Sequence, residues 1–220
     1  MNPLDPVNRT RSAGLAVGES SLPQNRIPAV LIAASAGGIR ALSTIARALP
    51  ADFPAAVLVV QHRTPTHKSM LVPILARSSS LPVEEAQPGH VMRAGTMYVA
   101  KPDLHLTVDP QGAFQYIDGP RIRHLLSSAN PLFTSCAQSL GRRVIAVVLT
   151  GSGMDATDGV QDVKASGGTV IAQDEATSEH FGMPASAIQT GSVDYVVPLS
   201  GIAPMLVRLV ASWQDRHQLT

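Results

Sequence analysis

Three residues able to do chemistry together each follow a short apolar run in this chain. Ser35 follows Ala29–Ala34, His62 comes shortly after Ala55–Val60, and Asp155 closes Thr150-Gly151-Ser152-Gly153-Met154-Asp155 after Val144–Leu149. A serine hydroxyl is a weak nucleophile near neutral pH and needs a base to take its proton during attack. An imidazole can hold and return that proton, while a carboxylate fixes the imidazole tautomer and stabilises the imidazolium. Backbone N–H groups of Ala36, Gly37 and Gly38, in a turn opening a helix, offer a place for an oxyanion. The loop Ser152-Gly153-Met154, directly before Asp155, is counted with them as an oxyanion and substrate loop.

Each of the three also has an ordinary use. Ser35 before a helix suits an N-cap, Asp155 suits another, and a lone histidine is most often a surface or capping residue. The segment Ala33-Ala34-Ser35-Ala36-Gly37-Gly38 is neither a dinucleotide fingerprint nor a phosphate loop. It differs from G-x-S-x-G in carrying Ala33 first, and the order Ser, His, Asp departs from that of the usual α/β-hydrolases. A serine hydrolase and a set of caps are both open on these residues alone. The argument for chemistry is that all three arrive at one edge of one sheet.

The elements that bring them there follow from periodicity. Ala29–Ala34, Ala55–Val60, Val144–Leu149, Thr169–Ala172 and Tyr195–Val197 are short apolar runs of the kind buried on both faces of a parallel sheet. Between them, Ile39, Leu42, Ile45, Ala46 and Leu49 recur at helical spacing and Pro50 stops that helix. Helices are predicted around Met70–Leu75 and over Pro131–Leu140, Asp155–Ala165, Met183–Gln189 and Ile202–Trp213. The middle of the chain, Leu81 to Leu126, holds four strand-like pieces: Leu81–Val83, Gly95–Ala100, His105–Val108 and Phe114–Ile117. Asp109-Pro110-Gln111-Gly112 reads as a hairpin turn. The expected architecture is an α/β fold: a doubly wound, mostly parallel sheet with a small inserted antiparallel ribbon. In such folds the site lies at the carboxyl ends of the strands, near the topological switch point.

Composition narrows the classes. The chain has 220 residues, 45% of them hydrophobic and 15% charged, and Lys+Arg exceed Asp+Glu by 17 to 16. That balance argues against a phosphate-neutralising nucleic-acid binder, and no run reaches the roughly 18 apolar residues of a membrane span. The single cysteine, Cys136, excludes an internal disulfide and favours a reducing cytoplasm. It lies on the apolar face of a predicted helix with Leu132, Phe133 and Leu140. His67, His105 and His124 lack metal-ligand spacing, so neither a metal nor a cofactor is expected. Arg121, Arg123, Arg142 and Arg143 are candidates for docking an acidic partner surface. Residues 1–26 read as a flexible tail, 27–213 as one folded domain and 214–220 as a second tail.

Several strings then carry a resemblance. They are Ala34-Ser35-Ala36-Gly37-Gly38, Val60-Gln61-His62, Tyr98-Val99-Ala100-Lys101-Pro102-Asp103-Leu104-His105-Leu106, Leu149 to Asp155, Ala172-Gln173-Asp174-Glu175 and Gly182-Met183-Pro184-Ala185-Ser186-Ala187. Together they resemble the catalytic domain of the CheB-type chemotaxis protein-glutamate methylesterases, from about Ile27 to Trp213. The resemblance implies hydrolysis of glutamate methyl esters, and deamidation of glutamines, on methyl-accepting chemotaxis receptors. It puts the nucleophile on Ser35, the histidine on His62 and the aspartate on Asp155. The alternatives are a hydrolase of another carboxylic ester and a non-catalytic receptor-binding module.

Three departures accompany the resemblance. The acidic loop of the family commonly reads G-M-G-x-D-G-A, whereas Ser152 stands here for the Met and Ala156-Thr157 follow the aspartate. Asn130 stands where an aspartate is common. The family usually carries an N-terminal receiver domain, and residues 1–26 are too few to build one. The expectation is therefore an uncovered site, constitutive activity, and control by a separate receiver protein, by localisation or by expression.

Overall fold

The computed structural model describes residues 27–62, 70–118 and 127–215. Nine strands and six α-helices are found among them, alternating except for the run of four strands in the middle of the chain. The first half runs β1 (Ala29–Ala34), α1 (Gly38–Ala48), β2 (Ala56–Gln61), α2 (Leu71–Ala76), β3 (Val83–Glu85), β4 (Met97–Val99), β5 (His105–Val108) and β6 (Phe114–Ile117). The second half runs α3 (Asn130–Leu140), β7 (Val144–Val148), α4 (Thr157–Ala165), β8 (Thr169–Gln173), α5 (Gly182–Gln189), β9 (Tyr195–Val197) and α6 (Leu199–Asp215). The predicted tail of residues 1–26, and Arg121, Arg123, His67 and His124, lie outside the described residues.

Seven strands form one parallel sheet in the order β3-β4-β2-β1-β7-β8-β9. From β1 the chain builds to one side through β2, with β4 and then β3 beyond it, and to the other through β7, β8 and β9 in turn, so β1 is the switch point. Every residue of β1, β2 and β7 is buried, as their unbroken apolar runs require of strands covered on both faces. Alternate residues supply two cores. Val30, Ile32, Val57 and Val59 meet α1, α2 and α6 on one face. Ala29, Leu31, Leu58 and Val60 meet α3, α4, α5 and the β5–β6 hairpin on the other. Cys136 is fully buried in this second layer, and burial pushes its thiol pKa up, as befits a core residue.

The expected inserted ribbon is smaller than the four candidate pieces. Only β5 and β6 pair antiparallel, closed by the turn at Asp109. The Asp109 carboxylate accepts the amides of Gln111 and Ala113, both at 2.9 Å. The other two pieces, β3 and β4, extend the main sheet in parallel beyond β2. All three residues of β4 are buried, whereas β6 exposes Gln115 and Ile117, and a fully buried strand belongs between covered faces. Ile39, counted with the apolar face of α1, is 42% exposed in that helix's first turn.

Candidate active site

Period-two alternation aims the strand ends before any side chain is considered. Ala34 pairs with Gln61 across β1 and β2, and the His62 amide donates to the Ala34 carbonyl at 3.0 Å. Ser35 and His62 therefore leave neighbouring strands side by side, both continuing the alternate positions that face α3 and α4. On the other flank of β1, the Ser35 amide donates to the Thr150 carbonyl at 3.0 Å. Ser35 is thus bracketed by the ends of β2 and β7.

Ser35 opens a tight turn in which the Gly38 amide donates to the Ser35 carbonyl at 2.8 Å. Gly37 sits at φ 76°, ψ −8°, the left-handed third position of a type II turn that favours glycine. Helix α1 begins directly behind, so this turn combines Ala36 and Gly37 amides with a helix N-terminus. Ser35 is a turn residue and not the N-cap of α1, a position that Gly37 holds.

Asp155 is brought in by the loop after β7 and is 2% exposed. One carboxylate oxygen, Oδ2, accepts the Ala129 amide at 2.7 Å and lies 2.7 Å from His62 Nε2. The other, Oδ1, accepts the Ser128 hydroxyl at 2.5 Å. Ala129 caps α3, so the carboxylate sits at that helix's positive end. Burial alone would raise its pKa. The His62 hydrogen bond and charge, the Ser128 hydroxyl and the Ala129 amide outweigh burial and hold the group below its ordinary value. Asp155 is therefore a carboxylate that orients His62 through Nε2 and leaves Nδ1 for another partner.

Around this pair stand residues whose roles only the fold reveals. Gly151 approaches Ser35 so closely that a β-carbon on it would lie 2.8 Å from Ser35 Cβ and 2.4 Å from Met183 Sδ. The Thr150 hydroxyl accepts the His180 amide at 2.8 Å and donates to the Ala36 carbonyl at 3.0 Å. It thereby joins the Ser35 turn to the segment leading into α5. Gln173, buried at the end of β8, accepts the Thr150 amide at 2.9 Å. His105 Nδ1 accepts the Ser128 amide at 3.1 Å, which ties the hairpin to the Asp155 support.

The departures in sequence also find structural accounts. Asn130 accepts the Gly159 amide at 2.9 Å and donates to Asp158 at 3.2 Å, a combination an ionised aspartate cannot make. Ala156 holds φ 72°, the one left-handed residue other than glycine among those described. The loop residues Ser152, Gly153 and Met154 are exposed, and Gly153 accepts the Ser186 hydroxyl at 3.2 Å. They reach the same edge as the Ser35 turn, packed over the start of α5 at Gly182.

Arg142 and Arg143 do not join the site. They form a short 3-10 turn, Gly141–Arg143, immediately before β7, which puts them at the amino edge of a parallel sheet whose carboxyl edge holds Ser35. The length of β7 separates the two edges. Among the described residues, no group of three or more His, Cys, Asp or Glu is placed to hold a metal ion. No helix among them is long and apolar enough to cross a membrane.

A CheB methylesterase family model matches residues 30–206. The protein-glutamate methylesterase/protein-glutamine glutaminase 2 of Anaeromyxobacter dehalogenans is 42% identical over 184 residues, covering 84% of this chain and 54% of its own length. The corresponding Pyrococcus horikoshii protein is 42% identical over 185 residues, covering 83% and 50%. Protein-glutamate methylesterase FrzG of Myxococcus xanthus is 38% identical over 188 residues. The chain spans about half the length of these curated relatives. Among solved structures, the Thermotoga maritima CheB methylesterase catalytic domain superposes with a TM-score of 0.81 at 37% identity. The match covers 84% of this chain and all of that one. Sheet order, the turn at Ser35 and the Asp155–His62 pair thus occur in a sequence matched along most of its length, and the chain belongs to the CheB methylesterase family.

Proposed function

We propose that residues 27–213 form a serine-esterase domain that hydrolyses glutamate methyl esters on chemoreceptor-type helical proteins and deamidates selected glutamines there. Ser35 is the nucleophile, His62 the base and Asp155 the orienting carboxylate. The observation that carries this reading is the convergence of the three at the switch point, with His62 Nε2 2.7 Å from a buried, ionised Asp155. The names of the relatives support the substrate class. A cytoplasmic setting is part of the proposal and rests on a chain with one, buried cysteine.

The chemistry follows from the groups. With Nε2 bonded to Asp155, His62 takes the Ser35 proton at Nδ1 as Oγ attacks the ester carbonyl. The oxyanion develops against the Ala36 and Gly37 amides of the turn, the Gly38 amide being engaged by the Ser35 carbonyl, and against amides of the Ser152-Gly153-Met154 loop. His62 returns the proton to the leaving group, the methoxy oxygen of an ester, which departs as methanol, or the amide nitrogen of a glutamine, which departs as ammonia. Water then repeats the sequence on the acyl-enzyme and releases the glutamate carboxylate and Ser35. Methanol release from methylated receptor preparations, with Ser35→Ala in parallel, tests the proposal. Loss of release and of fluorophosphonate labelling in Ser35→Ala is the expected result. Wild-type turnover by that variant removes Ser35 as nucleophile.

A further inference from the structure

Behind the Ser35–His62 pair, on the opposite face of the sheet, lies Gln61, the last residue of β2, 6% exposed. Its single side-chain amide group donates at 2.8 Å to the Ser35 carbonyl and at 3.2 Å to the His62 carbonyl. Those carbonyls belong to the first residues beyond the β1–β2 ladder, where the strands' own hydrogen bonding has ended at Ala34 and His62. One planar group with two fixed hydrogens therefore spans the gap between the two chain ends.

The amide oxygen makes the arrangement unusual. Gln61 Oε1 is buried and has no hydrogen-bond partner among the described residues. Exchanging the oxygen and nitrogen would aim an acceptor at two carbonyl oxygens, so the orientation is chemically determined. The oxygen is wedged against Gly38, where a β-carbon would come within 2.2 Å of it. An unsatisfied buried acceptor is a cost that native structures seldom carry without a compensating role. Gln61 lies on the α1 side of the sheet, away from the face that holds Asp155, and so does not touch the reacting ester.

We infer that Gln61 is a positioning residue, whose bifurcated amide sets the spacing of the Ser35 and His62 backbones so that Oγ and Nδ1 meet in line. The inference rests on the assignment of Ser35 and His62 proposed above. Misplacing reacting groups by about 1 Å costs on the order of 10²-fold in rate, and a group behind the site should act on kcat and leave KM alone.

The test compares Gln61→Met and Gln61→Glu with wild type and with Ser35→Ala in the full chain. Met keeps the size and removes both donors, and Glu keeps the shape and removes the paired amide hydrogens. Expected are folded proteins with kcat reduced roughly 10²-fold, KM within twofold, and Ser35 labelling by a fluorophosphonate slowed in proportion. A folded Met variant with wild-type kcat overturns the inference, as does a lowered thermal stability with unchanged turnover. Should neither variant fold, hydrogen-bond scalar couplings from the Gln61 side-chain nitrogen are read in the wild-type protein. Couplings to both carbonyl carbons support the clamp, and coupling to one or neither overturns it. Activity retained by Ser35→Ala would instead strike the underlying assignment, so the two failures are distinguishable.

Discussion

Asp155 is the residue on which the site's electrostatics turn. A carboxylate so buried persists as an anion only because three donors converge on its two oxygens. Asp155→Asn keeps the volume and loses control of the imidazole tautomer. We expect turnover of methyl ester to fall roughly 10²–10⁴-fold with the fold intact, read from steady-state kinetics and circular dichroism. The same group links stability to pH. Its folded pKa is depressed, so its contribution is fully present above the ordinary carboxylate value and is lost as pH falls through the lower folded one. Urea denaturation between about pH 5 and pH 2 should therefore show wild-type stability falling more steeply than that of Asp155→Asn. Equal slopes would mean the carboxylate gains nothing on folding.

Loops between elements carry the finer geometry. Gly151 stands in the loop after β7 against Ser35, and the 2.4 and 2.8 Å approaches of an added methyl fall on Met183 and on Ser35 Cβ. The methionine can yield, but the serine is pinned by its backbone. Gly151→Ala is expected to fold and to lose at least about tenfold in kcat, since small displacements of a nucleophile are costly. Ala156 poses the reverse question. Release of its left-handed strain is worth about 1–2 kcal/mol, against about 0.8 kcal/mol for a lost buried methyl and about 0.5–1 kcal/mol for added chain freedom. Ala156→Gly should thus leave the urea midpoint nearly unchanged, whereas an ordinary buried Ala→Gly lowers it. The turn that holds Arg142 and Arg143 gives a third expectation. Reversal of both to Glu should leave KM within twofold even at low salt, because they stand at the edge opposite Ser35.

At the scale of the molecule, the growth of the sheet outward from β1 explains why one strand end gathers the site. The switch at β1 leaves a crevice between crossovers that run to opposite faces. Ser35 stands in it, with His62 on one side and the β7 loop on the other. Both cores are built from residues between Ala29 and Val210, so the domain contains its own packing. Deletion of residues 1–24 is expected to change kcat/KM of the remaining chain by less than threefold. A larger change in either direction would give the N-terminal segment a part in catalysis or its control.

The strands, helices and carboxyl-edge placement of Ser35, His62 and Asp155 were legible in the sequence. They depend on local periodicity and on the fixed hand of parallel crossovers, and both are written in short stretches of chain. The family's strings added the likeness that the comparisons bear out. The assignment of β3 and β4 to the main sheet was not legible, because three-residue strands read alike in a ribbon and in the outer part of a sheet. Nor were the partners of Asp155: Ser128 and Ala129 lie 27 and 26 residues away in the chain and meet it only where α3 packs against α4. Gln61 stood in the sequence only as part of the Val60-Gln61-His62 string, beyond the run Ala55–Val60. That its amide faces two carbonyls and its oxygen none depends on Gly38, Ser35 and His62 arriving together from separate segments. Sequence determined which groups reach the edge, since that is a property of each strand. Tertiary structure alone decided which atoms face one another, because hydrogen bonding at a few ångströms depends on how distant elements pack.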